Sequence, residues 1–416
     1  MRIAIVGAGI AGLGAARALA GAADRQVTVL EAADRVGGHA YTVDAAGHAV
    51  DMGFIVCNRE RYPQLFRLLG ELGIATRPTT MSFSVSLPHE DLEWGSESLS
   101  SLFADRSKLA SPRHWRFLTE VLAFLGRARR DLDAGTTAQL TLADYAALRG
   151  SPALFERFLV PLAAALWSLA PERCGAFPAD TFLRFLEQHG MLRAVRPLAW
   201  RTIEGGSRRY VDALVAQLAG RGCAIERGTP VERVERDARG VTLLAGGRER
   251  RYDRVILAVH ADTALSLLAT PTADERRVLG AFRYSRNTTV LHRDPRFLPR
   301  RRAAHAAWNY VADPDSHQVC VTYSLSRLQG LPADPPFLVT LNPRTRPRDA
   351  LHEVAFAHPQ LDAAALAAQA ELPRLGGAHR TYYAGAHVGF GFHEDGLRAG
   401  LAAAASALAD ERRSGA

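Results

Sequence analysis

The chain has 416 residues and a mass of 45.1 kDa, enough for a large buried core in two or three domains. Its 48% hydrophobic and 23% charged residues exclude disordered and coiled-coil classes. The formal charge of +8 rests on arginine because Lys108 is the single lysine, and no basic stretch carries the interleaved aromatic residues typical of nucleic-acid binding, so we expect no nucleic-acid partner.

The first 31 residues predict a strand, a glycine-rich turn, a helix and a second strand. Residues 2–6 and 27–30 are the apolar strand-like runs, and the second run ends at Glu31. In such a turn the glycines allow tight bending, close approach of a pyrophosphate and close helix packing, while the acid binds ribose hydroxyls. The pattern therefore predicts a dinucleotide site. Its turn residues are Gly7, Ala8, Gly9, Ile10, Ala11 and Gly12.

The rest of the chain predicts an α/β fold with a Rossmann-like domain made of separate segments. Residues 96–190 are mostly helical in pattern, residues 252–259 end in an apolar run, 255–259, typical of a buried parallel strand, and residues 280–345 are β-rich. A last strand, a glycine-rich loop and a closing helix follow. We expect the nucleotide-binding domain to comprise residues 1–75, 200–270 and 376–416, interrupted by a mostly helical insert, 76–199, and a β-rich insert, 271–375.

The cysteines and the start of the chain bear on location. The four cysteines are scattered and form no Cys-x-x-Cys pair, so we expect no metal site and a reducing, cytoplasmic environment. Strand-like sequence from Arg2 leaves no room for a signal peptide, and the longest apolar stretch, 158–171, is too short to span a bilayer. The arginine clusters at 127–130 and 300–302 leave two explanations open: coding bias, or peripheral contact with an anionic membrane.

Several segments resemble FAD enzymes of the flavin amine oxidase and phytoene desaturase superfamily. The stretch 31–42 carries a Glu-x-x-x-Arg-x-Gly-Gly signature, although His39 stands where that superfamily usually has arginine. Residues 50–55, 230–234, 255–262 and 383–400 continue the resemblance. It implies a GR2-type FAD-binding domain, an α+β substrate domain with a mixed sheet, and FAD contacts beyond the glycine turn and Glu31. The implied residues are Ala32, Arg35, Gly37, Gly38, His39, Met52, Gly53, Phe54, Ile55, Val231, Gly385, Ala386, Glu394, Asp395 and Leu397.

Within the superfamily the chain looks most similar to a bacterial group of predicted NAD/FAD-binding proteins. The segments that carry this impression are Trp167-Ser168, 185–190, 200–206 and 325–329. Genes of that group resemble those found beside cyclopropane- or methyl-fatty-acid synthesis, which is an association rather than chemistry.

The sequence also bears on the reaction. There is no second Gly-x-Gly-x-x-Gly for NAD(P)H, so the substrate is the expected hydride donor. His387 and His393 are candidate proton acceptors, because neutral imidazole titrates in the useful range; bonding to backbone or phosphate is the alternative for each. His189 and His305 are expected at helix ends or on the surface. The expected substrate-binding residues are Trp167, Trp308, Tyr310, Tyr323, Phe390 and Phe392.

The favoured interpretation is a non-covalent FAD oxidoreductase that desaturates or isomerises an apolar small molecule, with a fatty-acyl or other lipid chain as the expected class. An amine oxidase is the rival, but amine-oxidising relatives usually carry a lysine on a strand of the substrate domain, and Lys108 does not match that strand. The resemblance implies no covalent flavin, since the closing loop has no cysteine. A lipid- or prenyl-binding protein without FAD on the same fold is a further alternative. The oligomeric state is left open.

Overall fold

The structure is a computed structural model that describes residues 1–167, 169–192, 198–312 and 320–414, with side chains up to residue 411. Ser168, which belongs to a segment named above, lies outside the described residues. The strands are β1 Arg2–Val6, β2 Gln26–Leu30, β3 Thr42–Ala45, β4 His48–Asp51, β5 Val56–Asn58, β6 Thr76–Pro78, β7 Phe83–Leu87, β8 Leu92–Gly95, β9 Trp200–Ile203, β10 Ala224–Glu226, β11 Val231–Asp237, β12 Gly240–Ala245, β13 Arg248–Tyr252, β14 Arg254–Leu257, β15 Arg283–His292, β16 Trp308–Val311, β17 Val321–Ser324, β18 Leu338–Leu341, β19 Ala350–Gln360 and β20 Thr381–Tyr383. The helices are α1 Ile10–Leu19, α2 Pro63–Glu71, α3 Leu99–Leu102, α4 Pro112–Asp133, α5 Leu142–Arg149, α6 Pro152–Leu154, α7 Val160–Trp167, α8 Pro171–Cys174, α9 Ala179–Gln188, α10 Arg208–Gly220, α11 Ala261–Leu267, α12 Ala273–Leu279, α13 Leu325–Leu328, α14 Ala363–Leu375 and α15 His393–Ser414.

A five-stranded parallel sheet forms the first layer, in the order β10-β2-β1-β14-β20. Its central strands are apolar and buried because both faces are covered, one by α1 and α15 and the other by β11–β13, α11 and α14. The strands come from three distant stretches of the chain, and the α/β fold class predicted above is confirmed. Since all strands run the same way, the carboxyl ends of β1, β2 and β14 meet at one edge, where such folds bind nucleotides.

A seven-stranded mixed sheet forms the second layer, in the order β19-β15-β18-β17-β16-β7-β8. Only β16 and β7 pair in parallel within it. Helices α4 to α9 pack on this sheet through an aromatic core that includes Phe117, Phe124, Phe158, Phe182 and Phe185. No helix in the described part of the chain is long and apolar enough to cross a membrane. The domain boundaries proposed above stay a prediction.

A buried carboxylate joins the two layers. Asp51, only 1% exposed, accepts hydrogen bonds from the Ser207 N–H at 2.9 Å and from Gln329 Nε2 at 3.0 Å. The hydroxyls of Ser207, at 2.7 Å, and Thr42, at 2.5 Å, also donate to it. Burial raises the pKa of Asp51 to about 6 in spite of these hydrogen bonds. The carboxylate thereby fixes the end of β4, directly before Met52.

Candidate active site

A cavity of about 540 Å³ lies between the two layers. One end is formed by the glycine turn after β1 and the acid after β2, and the other by aromatic and aliphatic side chains of the second layer. The predicted cofactor residues on its wall are Gly7, Gly9, Ile10, Ala11, Glu31, Gly38, His39, Met52, Gly53, Phe54, Ile55, Gly385 and Ala386. The crevice expected at this sheet edge is therefore open to a ligand.

The glycine turn brings backbone to the cavity surface. Gly7 has φ +100°, and a Cβ there would lie 2.5 Å from the carbonyl oxygen of Ala258, so this turn requires glycine. A Cβ added at Gly9 would come no closer to the protein than 4.0 Å, from Gly38 Cα, so the open side of Gly9 faces the cavity. Gly9 is also the N-cap of α1 and has no side-chain cap, which leaves the first amides of the helix available to an anion.

Glu31 closes the same end of the cavity. Its Oε2 accepts a hydrogen bond from the Ala8 N–H at 2.7 Å, and its Oε1 accepts one from the Ala33 N–H at 3.0 Å. These two bonds hold the carboxylate at the carboxyl end of β2, beside the glycine turn. A carboxylate accepts several hydrogen bonds at once, so Glu31 can also receive the hydroxyls of a ribose.

Other predicted cofactor residues support the turn from behind. Gly12 packs on the carbonyl of Gly7, and Gly37 donates its N–H to the Ala8 carbonyl at 2.8 Å. Arg35 donates to the Gly38 carbonyl at 2.8 Å and lies over the Tyr41 ring. Three further residues lie elsewhere: Ala32 is exposed, Val231 begins the antiparallel strand β11, and Leu397 packs against Gly14.

His39 occupies the position where the superfamily usually has arginine. Its ring stacks on Phe356 at 4.8 Å and lies 5.7 Å from His358 and 6.4 Å from His260. Burial, together with these two neighbouring imidazoles, lowers the pKa of His39 to about 3. At neutral pH this side chain can supply a hydrogen bond to a phosphate but no positive charge.

The two predicted catalytic histidines both line the cavity. His393 Nε2 is hydrogen-bonded to the Tyr210 hydroxyl at 2.6 Å, and its ring stacks on Phe54 at 3.9 Å. His387 packs edge-on against Phe282, and its Nε2 has no partner among the described residues. Burial lowers the pKa of each to about 3, so both are weak proton acceptors at neutral pH. Their role as a base stays a prediction that these surroundings weaken.

The carboxylates of Glu394 and Asp395 are hydrogen-bonded within the protein and neither residue is on the cavity wall, so their assignment as cofactor contacts stays a prediction. Glu394 accepts hydrogen bonds from the backbone N–H of Gln64, at 2.9 Å, and of Leu65, at 3.0 Å, and so caps α2. Asp395 accepts from the backbone N–H groups of residues 390 and 392, at 3.0 and 3.1 Å. Each carboxylate satisfies amides that would otherwise lack a partner: Glu394 holds the start of α2, and Asp395 holds the loop 389–392.

The other end of the cavity is aromatic. Phe392 stacks on Phe185 at 4.9 Å, and Trp308 meets Tyr323 edge-on at 5.1 Å. Tyr310 is the exception among the predicted substrate residues, because it is buried in the core between the mixed sheet and its helices instead of on the cavity wall. The predicted residues that do line the wall are Trp167, Trp308, Tyr323, Phe390 and Phe392.

Sequence reasoning missed His189 as a cavity residue. It does end a helix, as expected, since its Nδ1 lies 3.0 Å from the Phe185 carbonyl. Because a carbonyl only accepts, Nδ1 carries the proton and Nε2 keeps its lone pair. The ring lies 4.9 Å from Phe392 on the cavity wall, and burial lowers the pKa of His189 to about 4. His305, by contrast, bonds the Pro299 carbonyl away from this site.

Sequence analysis also missed three wall residues that lie on strands β15 and β19 or just after β14. They are His260, Tyr284 and His358. The ring of His260 stacks on that of Tyr284 at 4.3 Å, and His358 is hydrogen-bonded to Asn287 at 3.1 Å. Strand β19 has residues of mixed polarity, most of them exposed or half-buried, so its sequence shows no clear apolar alternation.

The cavity wall has few charged side chains. Among the described residues that line the cavity, Glu31 is the single carboxylate, and no lysine or arginine is present. Lys108 lies in the helical insert, 3.6 Å from Asp105. The four cysteines are buried, and none of them is on the wall.

Comparison with known proteins agrees with this geometry. The family described as flavin containing amine oxidoreductase matches residues 10–296. The chain belongs to this family. Its members contain flavin, and FAD is the cofactor that the family implies. The glycine turn, the uncapped start of α1 and Glu31 form a cradle that fits its pyrophosphate and ribose.

Individual relatives are more distant. AofH of Mycobacterium tuberculosis, which carries the name of a flavin-containing monoamine oxidase, is 27% identical over 276 residues, 62% of this chain and 56% of AofH. The chain thus spans about half the length of that curated relative. Polyamine oxidase 1 of Oryza sativa subsp. japonica is 57% identical over 54 residues, 12% of this chain and 10% of that protein.

Solved structures show the same fold. A CLA-producing fatty acid isomerase from P. acnes has a TM-score of 0.70 at 17% identity, covering 96% of this chain and 97% of that one. Cyclohexylamine oxidase from Brevibacterium oxydans has a TM-score of 0.69, also at 17% identity, covering 99% of both chains. At these identities the likeness concerns architecture and leaves the substrate undecided.

Proposed function

We propose that this protein is an FAD-dependent oxidoreductase that takes a hydride from an apolar small molecule, a fatty-acyl or other lipid chain, with the flavin held non-covalently. Bound flavin would supply a hydride acceptor, and the chain would position the donor carbon and exclude water. One observation carries the proposal: the cavity continues from the glycine cradle into an aromatic wall, and its single carboxylate is Glu31, at the ribose end.

The low charge of the wall bears directly on the substrate. A polyamine enters a protein as a cation, and burying that charge without a carboxylate partner is costly. A hydrocarbon chain meets no such cost and buries apolar surface against residues such as Phe185, Phe390 and Phe392. Non-covalent attachment is supported by the positions of the four cysteines, away from the wall.

Anaerobic bleaching of the bound flavin tests the proposal. Unsaturated and methyl-branched lipids should reduce the flavin or be isomerised, whereas putrescine, spermidine and simple primary amines should leave the flavin oxidised. Mass spectrometry of the lipid separates desaturation, which removes two hydrogens, from isomerisation, which keeps the mass. Bleaching by amines alone would overturn the apolar substrate.

Amine oxidation is the second candidate, and family membership favours it. AofH and the polyamine oxidases are named for that activity. In its favour, the wall could take an uncharged amine, with His189 Nε2 accepting a hydrogen bond from nitrogen. The same bleaching experiment, repeated with hydrophobic amines above and below their pKa, distinguishes this candidate because only the neutral form should react.

A further inference from the structure

Exposed apolar side chains are concentrated on one part of the surface. Of the six large hydrophobic residues that are exposed in the described chain, five lie between residues 99 and 148, on or beside helices α3, α4 and α5. They are Leu99 at 76%, Leu109 at 49%, Trp115 at 48%, Leu122 at 59% and Leu148 at 66% exposure. Single exposed hydrophobics are ordinary, but five of six within one stretch of about fifty residues point to a function for that stretch.

Helix α4 is amphipathic in a specific way. Its buried face carries His114, Phe117, Phe124, Ala128 and Leu132, which pack towards the helical core. Trp115 and Leu122 are seven residues apart and therefore share the opposite, outward face. The outward apolar residues are thus additional to the stripe that the core needs.

The indole of Trp115 is held in place at this surface. Its Nε1 donates a hydrogen bond to the Leu109 carbonyl at 2.9 Å, and its ring lies 4.7 Å from Phe103. The ring is therefore presented outwards with its polar atom already satisfied. Amphipathic indoles of this kind are favoured at the boundary between water and lipid.

Basic side chains surround these apolar residues. Residues 106–130 contain seven arginine or lysine residues and one acidic residue, Glu120. Of the exposed arginines on α4, Arg116 pairs with Glu120 at 3.5 Å, whereas Arg113 and Arg130 have no acidic partner within the described chain. This stretch therefore presents unpaired positive charge beside exposed leucine and tryptophan.

Helix α5 extends the same surface. Arg127 donates a hydrogen bond to the Arg149 carbonyl at 2.8 Å, which places the end of α5, with Leu148, beside α4. We call the outward surface of α3, α4 and α5 the docking face; it includes Leu99, Leu109, Trp115, Leu122 and Leu148.

We propose that the docking face binds the surface of an anionic membrane, with Trp115 and the leucines entering the headgroup region and the arginines meeting lipid phosphates. Two features favour a lipid surface over a protein partner. On α4 the exposed apolar residues Trp115 and Leu122 are interspersed with exposed arginines such as Arg113 and Arg116, as in helices that lie in the membrane interface. The positive charge also complements anionic lipid, which attracts basic residues near the membrane surface.

Vesicle sedimentation with the full-length, flavin-loaded protein tests this proposal. At low salt, binding to vesicles of phosphatidylcholine with phosphatidylglycerol should be at least about tenfold tighter than to phosphatidylcholine alone, and high salt should remove the difference. Anionic vesicles should also shift the fluorescence of Trp115 to shorter wavelength, a shift that Trp115→Phe should lack.

Two sets of variants separate the contributions. The double variants Trp115→Ser with Leu122→Ser and Arg113→Gln with Arg116→Gln should each weaken anionic-vesicle binding by about tenfold or more. Leu351→Ser is the matched apolar control, at 36% exposure outside the docking face, and Arg286→Gln with Arg346→Gln removes the same charge elsewhere. An unchanged flavin spectrum shows that each variant is folded.

Three results would overturn the proposal. One is failure to bind anionic vesicles at low salt, and another is equal loss of binding in the control variants, which would mean that net charge alone is responsible. The third is self-association without lipid that the Trp115 and Leu122 variant abolishes, since the face would then bind protein. None of these results depends on the substrate, so they are distinguishable from failure of the proposed reaction.

Discussion

The cofactor end of the cavity is built mainly from backbone, whereas the aromatic end is built from side chains that come from separate stretches of the chain. At the first end, Gly7, Gly9 and Glu31 lie within 25 residues of each other and act through amides, open space and one carboxylate. At the second end, Phe185 comes from α9 and Phe392 from the loop before α15. Backbone geometry tolerates almost no substitution, while an apolar wall tolerates exchange of similar side chains. The first end is therefore suited to a constant ligand and the second to a substrate that differs among family members.

The strongest test of this contrast is Gly9→Val. No atom of the protein obstructs a Cβ at Gly9, so the apo protein should fold, but the new side chain would enter the space meant for the pyrophosphate. We expect FAD affinity to fall by more than about a hundredfold. Flavin content after purification and FAD titration of the apo protein measure this. Gly70→Val, on a helix with open space around it, should keep its flavin. A yellow Gly9→Val protein would contradict the assignment of the cradle.

The junction between the two layers is tested by Asp51→Ala. The change leaves the Ser207 N–H, the Thr42 hydroxyl and the Gln329 amide without their buried acceptor. We expect the free energy of unfolding to fall by about 3 kcal/mol in urea denaturation. Asp44→Ala is the matched control, because that carboxylate is on the same hairpin but exposed in its pair with Arg208, so its removal should lower the free energy of unfolding far less than Asp51→Ala does. Equal losses in both variants would contradict the role of Asp51.

The aromatic end is tested by Phe392→Ala. Loss of this ring removes the stacked partner of Phe185 and part of the apolar wall. We expect binding of apolar donors to weaken by about thirtyfold, equivalent to about 2 kcal/mol, with FAD affinity nearly unchanged. Flavin spectral titration with lipid measures donor binding, and FAD titration of the apo protein measures FAD affinity. Phe297→Ala, a buried ring beside His292 and away from the cavity wall, should change neither. Parallel loss of FAD in the Phe392 variant would show that the two ends do not act separately.

The contribution of a single buried histidine to the pH dependence of stability is the smallest expected effect. The pKa values of His39, His189, His358, His387 and His393 are lowered to between about 3 and 4, chiefly by burial. Below pH 6.5 the unfolded chain takes up protons that the folded cavity does not, so the free energy of unfolding should fall as the pH decreases. Each histidine contributes at most about 1.4 kcal/mol per pH unit. The raised pKa of Asp51, about 6, opposes this below pH 6 because the folded state then binds the extra proton.

Urea midpoints of the apo protein across pH 4 to 7 measure this slope. His387→Gln should flatten it, since one buried imidazole is removed. A wild-type stability that rises as the pH decreases from 6.5 would contradict the neutral state of these histidines.

The sequence-based predictions succeeded where the interacting residues are close together in the chain, and they failed where the partners come from distant stretches. The glycine turn and Glu31 were found because one short unit contains both, and its spacing already implies a strand, a turn and a helix. The hydrogen bonds from α2 to Glu394 were not foreseen because a carboxylate after a loop can face a ligand or a backbone amide equally well, and only the position of α2 decides. Tyr310 was misplaced because residue type does not show where helices cover a sheet.

The amino-acid sequence alone determined the cofactor cradle and the family, because the local spacing of glycines and one acid encodes a backbone conformation. The tertiary structure decided which side chains form the far wall, where His189 and His358 come beside Phe392 and His39 from distant stretches. It also left Trp115 and Leu122 exposed, on the face of α4 opposite the apolar stripe that packs into the core. Such placements depend on packing between layers, and packing is a property of the whole chain rather than of any short segment.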